Sequence, residues 1–155
     1  MATIREQLGG DVMEARKGLI SGQGATRSLN VNESGATCLF DRAAGIVYTL
    51  PVAVPGTYFD FAVTTTVTSN AAKVITGAGT ELLIGSLVNV DTDTSNAVAA
   101  WTGNGSTHVA VSMNGTTTGA VAGTRLRVTC LSSTRWMVEG VIQGTGVVAT
   151  PFATS

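Results

Sequence analysis

Between Thr57 and Thr68 apolar and polar side chains alternate: Phe59, Phe61, Val63 and Val67 fall on one side, and Tyr58, Asp60, Thr64, Thr66 and Thr68 on the other. A period of two is that of a strand with one face in a core and one toward water. The same habit returns downstream. Val109, Val111 and Met113 alternate with Ser106, His108 and Ser112, and Asn114-Gly115 then supplies a tight turn. Leu126, Val128 and Cys130 oppose Arg125, Arg127 and Thr129, while Trp136, Val138 and Ile142 oppose Arg135 and Glu139. These two runs meet across Ser132-Ser133-Thr134, which reads as a hairpin. Further strands are expected near 27–32, 36–41, 45–51, 72–77, 81–90 and 96–101. Pro51 and Pro55 end the strand before them, because proline has no N–H to give a ladder.

The pattern predicts an all-β fold: a β-sandwich or jelly-roll-like body of roughly eight to ten short antiparallel strands. No internal repeat is visible, which argues against a propeller or a β-helix. Residues 1–24 read as an N-terminal arm, extended or partly helical, and 25–155 as the body. In the arm Ile4, Leu8 and Val12 recur every fourth residue, as on one side of a helix, while Gly9 and Gly10 weaken that helix. The arm is either a solvated tail or a segment that orders on a neighbouring subunit by burying those three residues.

Composition narrows the surface. Charged residues make up only 12% of the chain, about half the ordinary share, while Thr, Ser, Asn and Gly are plentiful. Six of the charged side chains fall in the first 17 residues (Arg5, Glu6, Asp11, Glu14, Arg16 and Lys17), so the body is poorer still in charge. A formal net charge of −1 offers no field for a phosphate backbone, and nucleic acid is not expected as a partner. No apolar run approaches the roughly 20 residues of a membrane-crossing helix, and the charged N-terminus does not read as a secretory signal. Synthesis and residence in the cytoplasm are expected, with Cys38 and Cys130 as reduced, buried thiols.

Candidate chemistry is sparse. The one histidine, His108, shares a polar strand face with Ser106 and Ser112, and neighbours on one strand do not make a triad. Asp91-Thr92-Asp93-Thr94-Ser95 spaces oxygens as a calcium loop does but lacks its glycine and closing glutamate. Asp41, Asp60, Asp91, Asp93 and Glu139 are the carboxylates from which a glycosidic pair would be drawn, and ordinary surface acids are the simpler reading. Neither an enzyme, a metal site nor a cofactor is expected. Trp136 falls on a core register, whereas Trp101, beside Thr102-Gly103-Asn104-Gly105, and Asn114 are the residues through which a glycan would be met.

The segments Thr64-Thr65-Thr66-Val67-Thr68-Ser69-Asn70, Asp91-Thr92-Asp93-Thr94, Met113-Asn114-Gly115-Thr116 and Trp136-Met137-Val138-Glu139-Gly140 resemble small structural proteins of tailed bacteriophages. The similarity is to head decoration, or cement, proteins and spans about residues 25–152. It implies a homotrimer on the outer surface of the virion capsid, bridging major capsid protein subunits and stabilising the shell. In that setting Ile4, Leu8 and Val12 are expected as apolar anchors of the arm, with Arg5, Arg16 and Lys17 setting register against acidic patches. The alternative is a tail or fibre component that binds a host surface glycan through Trp101 and Asn114.

Overall fold

The computed structural model describes residues 18–21, 24–93 and 97–155. Twelve strands follow one another: β1 Leu19–Ile20, β2 Thr26–Ser28, β3 Thr37–Phe40, β4 Ile46–Thr49, β5 Tyr58–Val63, β6 Ala72–Ile75, β7 Leu82–Asp91, β8 Val98–Asn104, β9 Ala110–Met113, β10 Arg125–Ser132, β11 Arg135–Gly144 and β12 Phe152–Ala153. A single 3-10 turn, Val31–Glu33, lies between β2 and β3. The strands build two sheets, ordered β1-β3-β5-β10-β11-β7-β8 and β12-β9-β6-β4-β2, which pack face to face as a sandwich. The all-β sandwich expected from the alternation is therefore the fold.

The ladders are mixed, however, rather than antiparallel throughout. β1 through β6 step from one sheet to the other in turn, so β1, β3 and β5 pair parallel in one sheet and β2, β4 and β6 pair parallel in the other. β7 and β11 also run parallel, over ten residues. A strand that always crosses to the opposite sheet returns in its original direction, which a jelly roll built of antiparallel strands does not do. The first half is thus a coil of parallel rungs without a sequence period. Its rungs differ in length: Leu19 stacks on Thr37, and Thr37 on Asp60, so no fixed spacing marks them.

The hairpin at Ser132-Ser133-Thr134 does join β10 to β11, with Cys130 opposite Trp136. Strand β5 ends at Val63 although the alternation runs on to Thr68, because the chain turns there to enter the other sheet; Val67 remains buried. Leu19–Ile20, counted with the arm on sequence, pair with β3 and belong to the seven-stranded sheet. Of the expected partly helical arm, residues 1–24, positions 1–17, 22 and 23 lie outside the described residues.

Between the sheets Phe40, Tyr48 and Phe61 meet edge-on or stacked at centroid separations of 5.2, 5.6 and 6.0 Å. Such contacts stabilise beyond the apolar area they bury. The Tyr48 hydroxyl escapes an unpaired state by donating to the Leu39 carbonyl at 2.7 Å. Trp136 is wholly buried, and its indole N–H donates to Glu81 Oε2 at 3.1 Å while Glu81 Oε1 accepts from the Ala53 N–H at 3.1 Å. Cys38 and Cys130 are buried free thiols, as expected. In β7, Gly85 has φ of +98°, and a Cβ there would sit 2.1 Å from the Val138 carbonyl oxygen, so only glycine lets β7 lie this close to β11.

Candidate interaction surface

Register decides which side chains share the outer face of the seven-stranded sheet. Asp60, Arg127 and Glu139 stand side by side on β5, β10 and β11, and Ser86 and Thr102 continue that row across β7 and β8. One row along, Leu39, Ala62, Arg125, Val141, Val88 and Ala100 line up in the same way, with Val90 and Val98 beyond them. On the other flank Met137 pairs with Ile84. The outer face is therefore a polar row with a largely apolar row, broken by Arg125, on one side and a mixed row of Tyr58, Thr129, Met137, Ile84 and Asn104 on the other. Val98 is 65% and Val141 40% exposed, and Val88, Val90, Ile84 and Met137 are half-buried.

The polar row is held by Arg127. Its Nε donates to Asp60 Oδ1 at 2.7 Å and its Nη2 to Asp60 Oδ2 at 2.9 Å, a bidentate fork, and its guanidinium lies 4.8 Å from the centre of the Tyr58 ring. The hydrogen bonds to Asp60 push the Arg127 pKa further up. A groove of about 530 Å³ runs above this row, bounded by Thr37, Asp60, Ala62, Arg125, Glu139 and Val141. With Asp60 already paired, the groove presents shape, apolar rims and the charges of Arg125 and Glu139 rather than a reactive pair.

The other sequence candidates fall elsewhere. Trp101 is on β8 opposite Leu87, facing inward and half-buried, with its Nε1 buried and unbonded. A ring in that position offers one edge, not an open stacking platform. Asn114 is exposed, but its Oδ1 accepts from the N–H groups of Thr116 and Thr118, and its Nδ2 donates to Thr117 Oγ1. Asn104 does the same for Ser106, Thr107 and His108. Both Asn-Gly pairs organise loops of several residues instead of two-residue hairpins, because the asparagine side chain replaces the missing ladder. Trp101 and Asn114 sit in and beside different sheets, and no hydrogen bond joins them.

His108 Nδ1 accepts from the Asn104 N–H at 3.2 Å, and its ring stacks on Phe152 at 5.5 Å, so the imidazole is a loop-packing group. The expected acidic loop is internally tied: the Asp93 N–H donates to Asp91 Oδ1 and the Gly146 N–H to Asp93 Oδ2. Among the described residues no three His, Cys, Asp or Glu side chains gather as metal ligands would. Ile4, Arg5, Leu8, Val12, Arg16 and Lys17 lie outside the described residues. Sequence reading missed the Asp60–Arg127–Tyr58 cluster and buried Glu81. The alternation did place Tyr58 and Asp60 on the polar side of one strand and Arg127 on the polar side of another, but their adjacency needs the β5–β10 pairing.

Compared with protein-family models, with curated proteins and with solved structures, the chain matches none.

Proposed function

We propose that this chain is a non-enzymatic structural subunit that attaches to a protein shell, of the kind that decorates the outside of a tailed-phage head and bridges its major capsid subunits. The observation that carries the reading is the outer face of the seven-stranded sheet, where an apolar row through Val88 and Val141, with Val98 beyond it, lies beside the Asp60–Arg127–Glu139 row. Docking such a face buries its valines, with the Asp60–Arg127 pair already formed and Arg125 and Glu139 left to meet opposite charges on the partner, which sets register. Many copies on one shell then act together, so each contact can be modest. The sequence resemblance to cement proteins supplies the shell's identity. Trp101, turned inward, gives the glycan-binding alternative less support than its sequence position suggested.

The test is co-sedimentation of the purified protein with phage heads that lack it. The protein is expected in the head pellet, and Val88→Lys with Val141→Lys is expected to leave it in the supernatant with an unchanged circular dichroism spectrum. Binding to host cells but not heads, or undiminished head binding by the double variant, overturns the reading.

A further inference from the structure

A sheet edge exposes unpaired N–H and C=O groups, and proteins blunt such edges by keeping them short, charging them, or inserting proline. Three of the four edges here are short: β1 and β12 have two residues and β2 has three. The fourth, β8, has seven, Val-Ala-Ala-Trp-Thr-Gly-Asn, without a charge or a proline.

The pairing with β7 fixes which groups of β8 are free. The Asp91 N–H donates to the Ala97 carbonyl and the Gly105 N–H to the Leu83 carbonyl, both at 2.9 Å, at the two ends of the ladder. In an antiparallel pair, bonded and non-bonded positions alternate, so Ala99, Trp101 and Gly103 also turn their backbone groups to β7. Val98, Ala100 and Thr102 turn theirs away. Asn104 does too, and its outward N–H is already given to His108 Nδ1, which closes that end of the edge. The N–H and C=O groups of Val98, Ala100 and Thr102 have no partner among the described residues, and all three residues are exposed.

We infer that β8 pairs with β8 of a second copy about a two-fold axis through Ala100, joining two seven-stranded sheets into one. The free residues are symmetric about Ala100. An antiparallel register with Ala100 opposite the partner's Ala100, and Val98 opposite the partner's Thr102, satisfies every one of these free groups on both copies. Moving the axis toward Asn104 instead sets Val98 opposite the partner's Asn104, whose N–H is already engaged. The side chains agree with it. Trp101 comes opposite the partner's Ala99, large against small, and no like charges meet. On the outer face the Val88 and Ala100 row runs on into the neighbour. This pairing stands independently of the proposed attachment to a shell.

One strand edge covers less than the about 800 Å² per partner of a stable interface, so the pair is expected to depend on concentration. Sedimentation and light scattering of the full chain from about 10 µM to about 1 mM should show the mass rising toward that of two copies. Residue-resolved amide exchange then locates the contact. Val98, Ala100 and Thr102 should exchange freely when dilute and slow at least about tenfold when concentrated, whereas Ala99, Trp101 and Gly103 stay protected throughout. Ala100→Pro is expected to hold the protein at one copy, because the N–H it removes points away from β7. Val98→Lys should do so without touching the backbone. A mass of one copy at every concentration, a mass of three, or pairing that survives both substitutions overturns the proposal.

Discussion

Glu81 lies at the foot of β7, 6% exposed, with both carboxyl oxygens accepting from buried donors, the Ala53 N–H and the Trp136 indole. Truncation to alanine orphans both donors inside the sandwich. A buried donor left without a partner costs about 1–3 kcal/mol, so two cost about 2–6 kcal/mol, before the loss of packed methylenes. Relief of the buried carboxyl's own desolvation offsets part of this, and a net loss of about 3 kcal/mol is expected for Glu81→Ala. Glu81→Gln keeps the volume and one acceptor but turns an NH₂ toward the second donor, so about 1–2 kcal/mol is expected. In urea, with a slope of about 1–3 kcal/mol per molar, the alanine variant should unfold about 1–3 M earlier, followed by circular dichroism and tryptophan emission. An unchanged slope assigns the shift to the native state. Should the alanine variant unfold within about 0.5 kcal/mol of the parent, the two hydrogen bonds do not anchor Trp136 and the reasoning fails.

Two further outcomes are expected. Arg127→Ala should cost no more than about 1 kcal/mol despite its bidentate bond, because the Arg127 and Asp60 side chains are 46% and 34% exposed and water competes for them; a loss well above that in thermal unfolding means the pair is structural. Burial, with Glu33 adding, pushes the Cys38 pKa from 9.0 to about 12, so the folded thiol stays neutral while the unfolded one ionises. Its stabilising share is whole below pH 9 and is lost as pH climbs toward 12, amounting to about 2–3 kcal/mol by about pH 11. Urea midpoints measured from pH 8 to 11 should fall more steeply for the parent than for Cys38→Ala, and equal slopes refute the assignment. Tyr48, raised by burial in the same way, adds to the alkaline loss in both proteins.

Much of the fold was legible along the chain. Alternation set the strands and their inward faces, from Phe59 and Phe61 on β5 to Trp136 and Val138 on β11, because side chains on a strand have a period of two whatever the strand pairs with. The two-residue strands β1 and β12 are too short to carry a period and were not anticipated. Of the candidate surface, the sequence placed Asp60 and Arg127 on polar faces, but it did not place them in contact. Trp101 read as a loop-edge aromatic because glycines follow it, yet the β7–β8 register turns it toward Leu87.

A valine- and threonine-rich body with little charge can only be a sheet protein with a neutral skin, and that much needed no coordinates. Which strands are neighbours is another matter, since residues far apart in sequence must meet and the backbone groups that join them are the same at every position. The crossing of β1 to β6 between sheets, the row of Asp60, Arg127 and Glu139, and the open flank of β8 all follow from that pairing. Tertiary structure alone decides it, through the paths of the connections and the volumes that the core must fill.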